Sequence, residues 1–250
     1  MSDVQFTTID DMKDPFTLLL KGAPGTGKTT VASQFPNAVI INLDKNLTAL
    51  KQLPAEKRQG LRVVDPYNIN GKAVKAIDVW HHTVDLIAKL AQSNEVKTII
   101  VDSATILAAK LEDFCKGTDD PNKPMAIQNW GQYNANLDWI GENILKAADR
   151  DKNFILIAHE RPIYAKADGK SLEQVIDKYE INLGTNSMRS KFEIYFQDIW
   201  RMSIAPSRLK ANDYIITTKA TQQFMARTSL DLPNSFSFAE QAENIFKQIM

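Results

Sequence analysis

Cysteine is almost missing from this chain. Cys115 stands alone among 250 residues, so no internal disulfide can form, and a reducing compartment, the cytoplasm, is expected. Histidine is scarce too. His81 and His82 are neighbours on a helical pattern and point in different directions, a poor metal pair, and no zinc or iron site is visible elsewhere. No apolar run approaches the ~20 residues of a membrane span, so no membrane partner is expected. The opening MSDVQFTTIDDMKD is polar and acidic, unlike a signal peptide. Net charge is absent as well: 30 Lys and Arg balance 30 Asp and Glu, which does not advertise nucleic-acid binding. The balance is uneven along the chain, however. Residues 1–14 hold four Asp against one Lys, and residues 201–227 hold five Lys or Arg against Asp213 alone. Internal repeats and low-complexity segments are lacking.

What is present is a pattern of strands and helices. The hydrophobic share is 44%, ample for one α/β core. Strand-like runs are expected at 17–21, 38–43, 61–65, 97–103, 153–158, 196–204 and 213–219. Between them, Val74, Ile77, Trp80, Val84, Ile87 and Leu90 share a helical face. Ile127, Trp130, Leu137, Ile140, Ile144 and Ala148 do the same on a longer helix. Alternating strands and helices imply a mainly parallel sheet flanked by helices, with ligands at the carboxyl ends of the strands. The last two strands leave no room for a helix between them, so an antiparallel hairpin should end the sheet. At 237–250 the stretch begins Ser-Phe-Ala-Glu, a helix capping box, and its apolar residues suit a helix docked on the body or a partner-binding tail. Residues 161–191 show the least periodicity and read as an irregular functional connection.

The stretch KGAPGTGKTT, residues 21–30, follows the first strand-like run. Gly22, Gly27, Lys28 and Thr29 complete the pattern G-x-x-x-x-G-K-[ST]. Such a loop, here Gly22, Ala23, Pro24, Gly25, Thr26, Gly27, Lys28, Thr29 and Thr30, wraps phosphates in successive backbone N–H groups, and the following helix adds its positive end. Lys28 would reach the β- and γ-phosphates, and the Thr29 hydroxyl would ligate Mg²⁺.

Two acids end apolar runs. Asp102 closes KTIIVD, where it either holds Mg²⁺ or caps the strand; a buried carboxylate without a partner is costly. Ser103 follows it, whereas ATPases of the AAA+ type carry Glu there to polarise the attacking water. A base must then come from elsewhere. Asp44, at the end of VIINLD, is either that base or a turn-initiating acid.

Taken together, the loop, INLD (41–44), VVDPYN (63–68) and IIVDSATIL (99–107) resemble the RecA-like recombinase core. The likeness spans roughly residues 15–230. It is nearest to short, phage-encoded RecA-core ATPases implicated in single-strand annealing, with YIITTK and ARTSLDLP (226–233) in the matching places. The resemblance implies a single RecA-like P-loop NTPase domain over residues 1–250, with ATP and Mg²⁺ as cofactors, Thr29 and Asp102 at the metal, and Asp44 as base. His159, ending NFILIAHE, would sense the γ-phosphate and report to the loop after it, or merely end its strand. Lys219 and Arg227 would reach a neighbouring subunit's nucleotide, or stay solvated. Single-stranded DNA would lie along Arg161, Lys166, Lys170, Lys178, Arg189 and Lys191 with Tyr164 or Tyr179 stacking on bases, although interleaved acids leave a plain solvated loop open. A homo-oligomer, ring or short filament, follows, and a single-strand-binding protein is a candidate partner. DNA-stimulated, slow ATP hydrolysis serving annealing or homologous recombination is the leading expectation. A P-loop small-molecule kinase and a nucleotide-switched loader with little turnover are the alternatives.

Overall fold

The computed structural model describes residues 16–148, 151–165, 175–205 and 213–250. A sheet of nine strands is its spine among those residues. In chain order the elements are β1 (Thr17–Gly22), α1 (Lys28–Ala32), β2 (Ala38–Asn42), α2 (Thr48–Lys51), α3 (Ala55–Arg58) and β3 (Arg62–Val64). A two-stranded ribbon of β4 (Asn68–Ile69) and β5 (Lys72–Ala73) precedes α4 (Val79–Gln92), β6 (Thr98–Asp102), α5 (Ala104–Lys116) and α6 (Ile127–Ala148). There follow β7 (Asn153–Tyr164), β8 (Ile176–Ile181), α7 (Asn186–Phe192), β9 (Asp198–Ala205), β10 (Asp213–Thr217), β11 (Ser235–Ser237) and α8 (Phe238–Ile249).

Across the sheet the order is β11-β10-β9-β1-β7-β6-β2-β3, with β8 added to the outer half of β7. From β9 to β3 the pairing is parallel, and β10 and β11 return antiparallel. The mainly parallel sheet flanked by helices that is expected from the sequence is therefore the fold observed, including the antiparallel end.

The strands are apolar on both sides because helices cover both sides. Leu19, Ile41, Val101 and Leu156 join α4, α5 and α6 in one core. Leu18, Leu20, Ile40, Ile100 and Ile157 face α1, α2 and α8 in the other. A period of two splits each strand between the two layers. Ser237 and Glu240 form the expected capping box, and Phe238 and Ile245 bury against the body. The ARTS segment is fixed by Asp198, whose carboxylate accepts from the Thr228 hydroxyl at 2.7 Å and from the Ser229 amide at 2.8 Å.

Three readings need correction. The described parts of 161–191 are regular rather than irregular: β7 runs on to Tyr164, β8 pairs back on it antiparallel, and α7 follows, while 166–174 lie outside the described residues. IDKYEI hides its strand character because β8 buries only Ile181 fully. The helix expected from Val74 begins at Val79, after a 3₁₀ turn. Ile127 is 92% exposed rather than facing the core. Lys166 and Lys170 lie outside the described residues. Among the described residues, no helix is long and apolar enough to cross a membrane.

Candidate active site

The loop after β1 turns on glycines in the left-handed region. Gly25 has φ +79° and Gly27 φ +82°, conformations that cost other residues 1 kcal/mol or more as an order of magnitude. At Gly22, φ +155°, a Cβ would collide with the Met202 carbonyl of the neighbouring β9. Close strand packing and chain reversal therefore demand the first and last glycines independently. The Thr26 hydroxyl donates to the Ala23 carbonyl at 2.8 Å, tightening the loop.

Lys28 is 4% exposed. Its ammonium donates to the Gly22 carbonyl at 3.0 Å and the Ala23 carbonyl at 2.8 Å. Burial pushes it down to about 8, against the opposing pull of Asp102, Glu160 and Asp44. Next to it, the Thr29 hydroxyl donates to Asp102 Oδ2 at 2.6 Å. Burial pushes the Asp102 carboxyl up to about 6, with the Thr29 hydrogen bond working the other way.

Asp44 enters from β2. Its Oδ1 accepts from the Ser103 hydroxyl at 2.6 Å, and its Oδ2 lies 3.2 Å from His159 Nε2. Burial raises the Asp44 carboxyl, but the bonds from His159 and Ser103 outweigh it, and the net shift is downward. An ionised carboxylate at neutral pH is what a water-orienting base requires. The Leu43 and Asp44 amides both donate to the Asp102 carbonyl, at 2.7 and 3.0 Å. That carbonyl thus draws the end of β2 onto the end of β6. His159 pairs across β7 with Gly22 of the loop, and its amide bonds the Thr105 hydroxyl at 3.3 Å. A cleft of about 670 Å³ holds Pro24 through Val31 together with Asp44, Asp102 and His159.

The remaining sequence-based candidates lie elsewhere. Lys219 is exposed. The Arg227 guanidinium is held inside its own chain by the Glu193 and Phe196 carbonyls. Arg161, Lys178 and Arg189 line a second cleft of about 730 Å³ with Tyr179 and Phe224. Lys178 and Arg189 both pair with Glu180, at 2.8 and 3.0 Å, and Lys191 pairs with Asp138 at 2.6 Å. Arg161 Nε is buried with no hydrogen-bond partner among the described residues. Tyr164 is 47% exposed at the outer end of β7.

Sequence reasoning missed several participants. Glu160, beside His159, is buried and reaches Arg201 at 2.8 Å and Lys21 at 3.9 Å. Arg201 in turn lies between the Tyr179 and Phe224 rings, 4.3 and 4.5 Å from their centroids. Ser103 emerges as the partner of Asp44, and Tyr214 and Ser237 to Ala239 also line the first cleft. Only the polarity of Glu160 after an apolar run could have flagged it.

A family model described as an AAA domain matches residues 14–230. The chain belongs to that AAA domain family. This makes it a nucleotide-binding, ATPase-type P-loop core, and Ser103 marks it as an AAA domain without an acid directly after the strand-end aspartate. No curated protein matches the chain. Among solved structures it is similar to the flagellar accessory protein FlaH from Methanocaldococcus jannaschii, at 12% identity and TM-score 0.40, covering 88% of this chain and 83% of that one. It is also similar to an ATPase from the type III secretion system of pathogenic bacteria, at 9% identity and TM-score 0.40, covering 76% of this chain. The chain spans about half of the length of that second structure, 51%.

Proposed function

We propose that this protein binds ATP with Mg²⁺ at the loop after β1 and hydrolyses it slowly. The observation that carries this is the meeting of Thr29, Asp102, Asp44 and His159 in the first cleft. The donors suit the metal. Among the described residues no group of three His, Cys, Asp or Glu would hold an ion unaided, and Mg²⁺ in nucleotide sites rests on one or two carboxylates plus the ligand's phosphates. Thr29 and Asp102 would hold it, and it would supply charge neutralisation on the phosphates. Lys28 holds the β- and γ-phosphates, and the loop amides cradle them. Asp44 orients the attacking water and accepts its proton, with Ser103 and His159 fixing the carboxylate.

The same reading extends to single-stranded DNA. The second cleft offers Arg161, Lys178 and Arg189, with Lys191 and Tyr164 further out, and salt-sensitive binding would follow. Turnover in a homo-oligomer, ring or short filament, would use Lys219 from a neighbour; Arg227, held by its own chain, is the weaker candidate. Annealing or homologous recombination in a phage-infected cell's cytoplasm, alongside a single-strand-binding protein, is the role that fits these parts. ATPase assays with and without single-stranded oligonucleotide, across protein concentration, test chemistry, DNA coupling and subunit dependence together. A rate unchanged by oligonucleotide and linear in protein would remove the DNA and oligomer parts of the proposal.

A further inference from the structure

The first cleft is lined by more than the phosphate loop and its acids. Besides the loop, Asp44, Asp102 and His159, its lining includes Tyr214 and the first turn of α8. Tyr214 is on β10, on the same face as fully buried Ile216, yet it is 43% exposed. Its ring lies directly over Gly27: a Cβ there would sit 3.3 Å from Cδ1 and 3.4 Å from Cγ. The ring edge is thus seated on the phosphate loop, and the rest of the ring is open to the cleft. Beside it, in the register that pairs Ile215 with Ser237, stand Ser237, Phe238 and Ala239. The Phe238 side chain turns inward, 6.1 Å from both Phe35 and Phe246, so the wall it leaves is backbone. The Phe238 and Ala239 amides open a helix and have no intrahelical acceptor.

We infer that Tyr214 is the nucleoside-recognition residue of this protein, stacking on the base of a nucleoside triphosphate, with the opening turn of α8 as the adjoining wall. This rests on the proposal that the loop binds a triphosphate. The γ-phosphate must lie toward Asp44 and Asp102, and Tyr214, seated on Gly27, is the exposed aromatic ring of the same cleft. Tyr214 gives the cleft an aromatic face, and the opening amides of α8 give it backbone donors. A flat heteroaromatic ring gains from stacking on such a face, and the larger purine gains more than a pyrimidine.

Magnesium tripolyphosphate separates the two readings, because it has phosphates and no base. Tyr214→Ala is expected to weaken MgATP binding about tenfold, within the range for lost base stacking, and to leave tripolyphosphate affinity unchanged. Tyr214→Phe is expected to keep the parent ATP affinity, and the parent's preference for ATP over CTP should narrow in Tyr214→Ala. Equal ATP affinity in Tyr214→Ala and parent overturns the inference. So does an equal loss for ATP and tripolyphosphate, which would make the ring a mere support for the loop. If the parent binds neither ligand, the triphosphate reading itself has failed.

Discussion

Raising the pH from 7 to 9 should weaken nucleotide binding through one side chain. Lys28 is buried against its own loop, and burial brings its ammonium down to about 8. A bound triphosphate favours the charged form and lifts that value. Binding therefore takes up a proton above pH 8, and affinity falls as pH rises through the free protein's value. Each unit is worth about 1.4 kcal/mol, or tenfold, so the Kd for MgATP should rise roughly tenfold between pH 7 and pH 9. Stability of the free protein moves the other way. The unfolded lysine, at its ordinary 10.5, holds more protons than the folded one between pH 8 and 10.5, so unfolding free energy rises with pH there, by up to about 3 kcal/mol. Isothermal titration in buffers of different ionisation enthalpy reads the proton uptake directly, and urea melts read the stability arm. Lys28→Arg, which stays charged throughout, should bind more weakly but with a flat profile. A flat profile in the parent, or the same decline in Lys28→Arg, would refute the assignment of Lys28 to the phosphates.

Asp44→Asn should leave MgATP affinity within about threefold and cut turnover by a factor on the order of 100 or more; single-turnover assays decide it, and an unchanged rate removes Asp44 as base. Gly22→Ala places a methyl against the Met202 carbonyl at φ +155°, and chemical denaturation should show a loss of at least about 2 kcal/mol. In oligonucleotide titrations across salt, replacing Arg161 and Lys178 together by Ala should lower affinity and reduce the log–log salt slope by about 1.4; an unaltered slope clears the second cleft of phosphate contacts.

The central strands were legible because they are buried on both faces, so TLLLK, VIIN, TIIVD and FILIA read as unbroken apolar runs. β8 was not, since Asp177 and Lys178 are exposed and Tyr179 and Glu180 half-buried, and its pairing with β7 is a matter of backbone bonds that composition does not record. The same division runs through the site. Gly22, Gly27 and Lys28 announce themselves by spacing, and Asp102 by ending an apolar run. The link from Ser103 to Asp44 joins residues 59 apart, and Tyr214 reaches Gly27 only because β10 turns back beside β9. Contacts of that kind depend on strand order, which local pattern does not carry.

The paired amide bonds from Leu43 and Asp44 to the Asp102 carbonyl have a mechanical outcome. The group that would activate water and the group that would grip the ion ride on a single rigid splice of main chain. A rearrangement of the glycine turn would move the phosphates relative to both carboxylates at once, altering reach without altering their mutual spacing. Trimming either side chain would therefore subtract one chemical task and leave its neighbour correctly placed for the other.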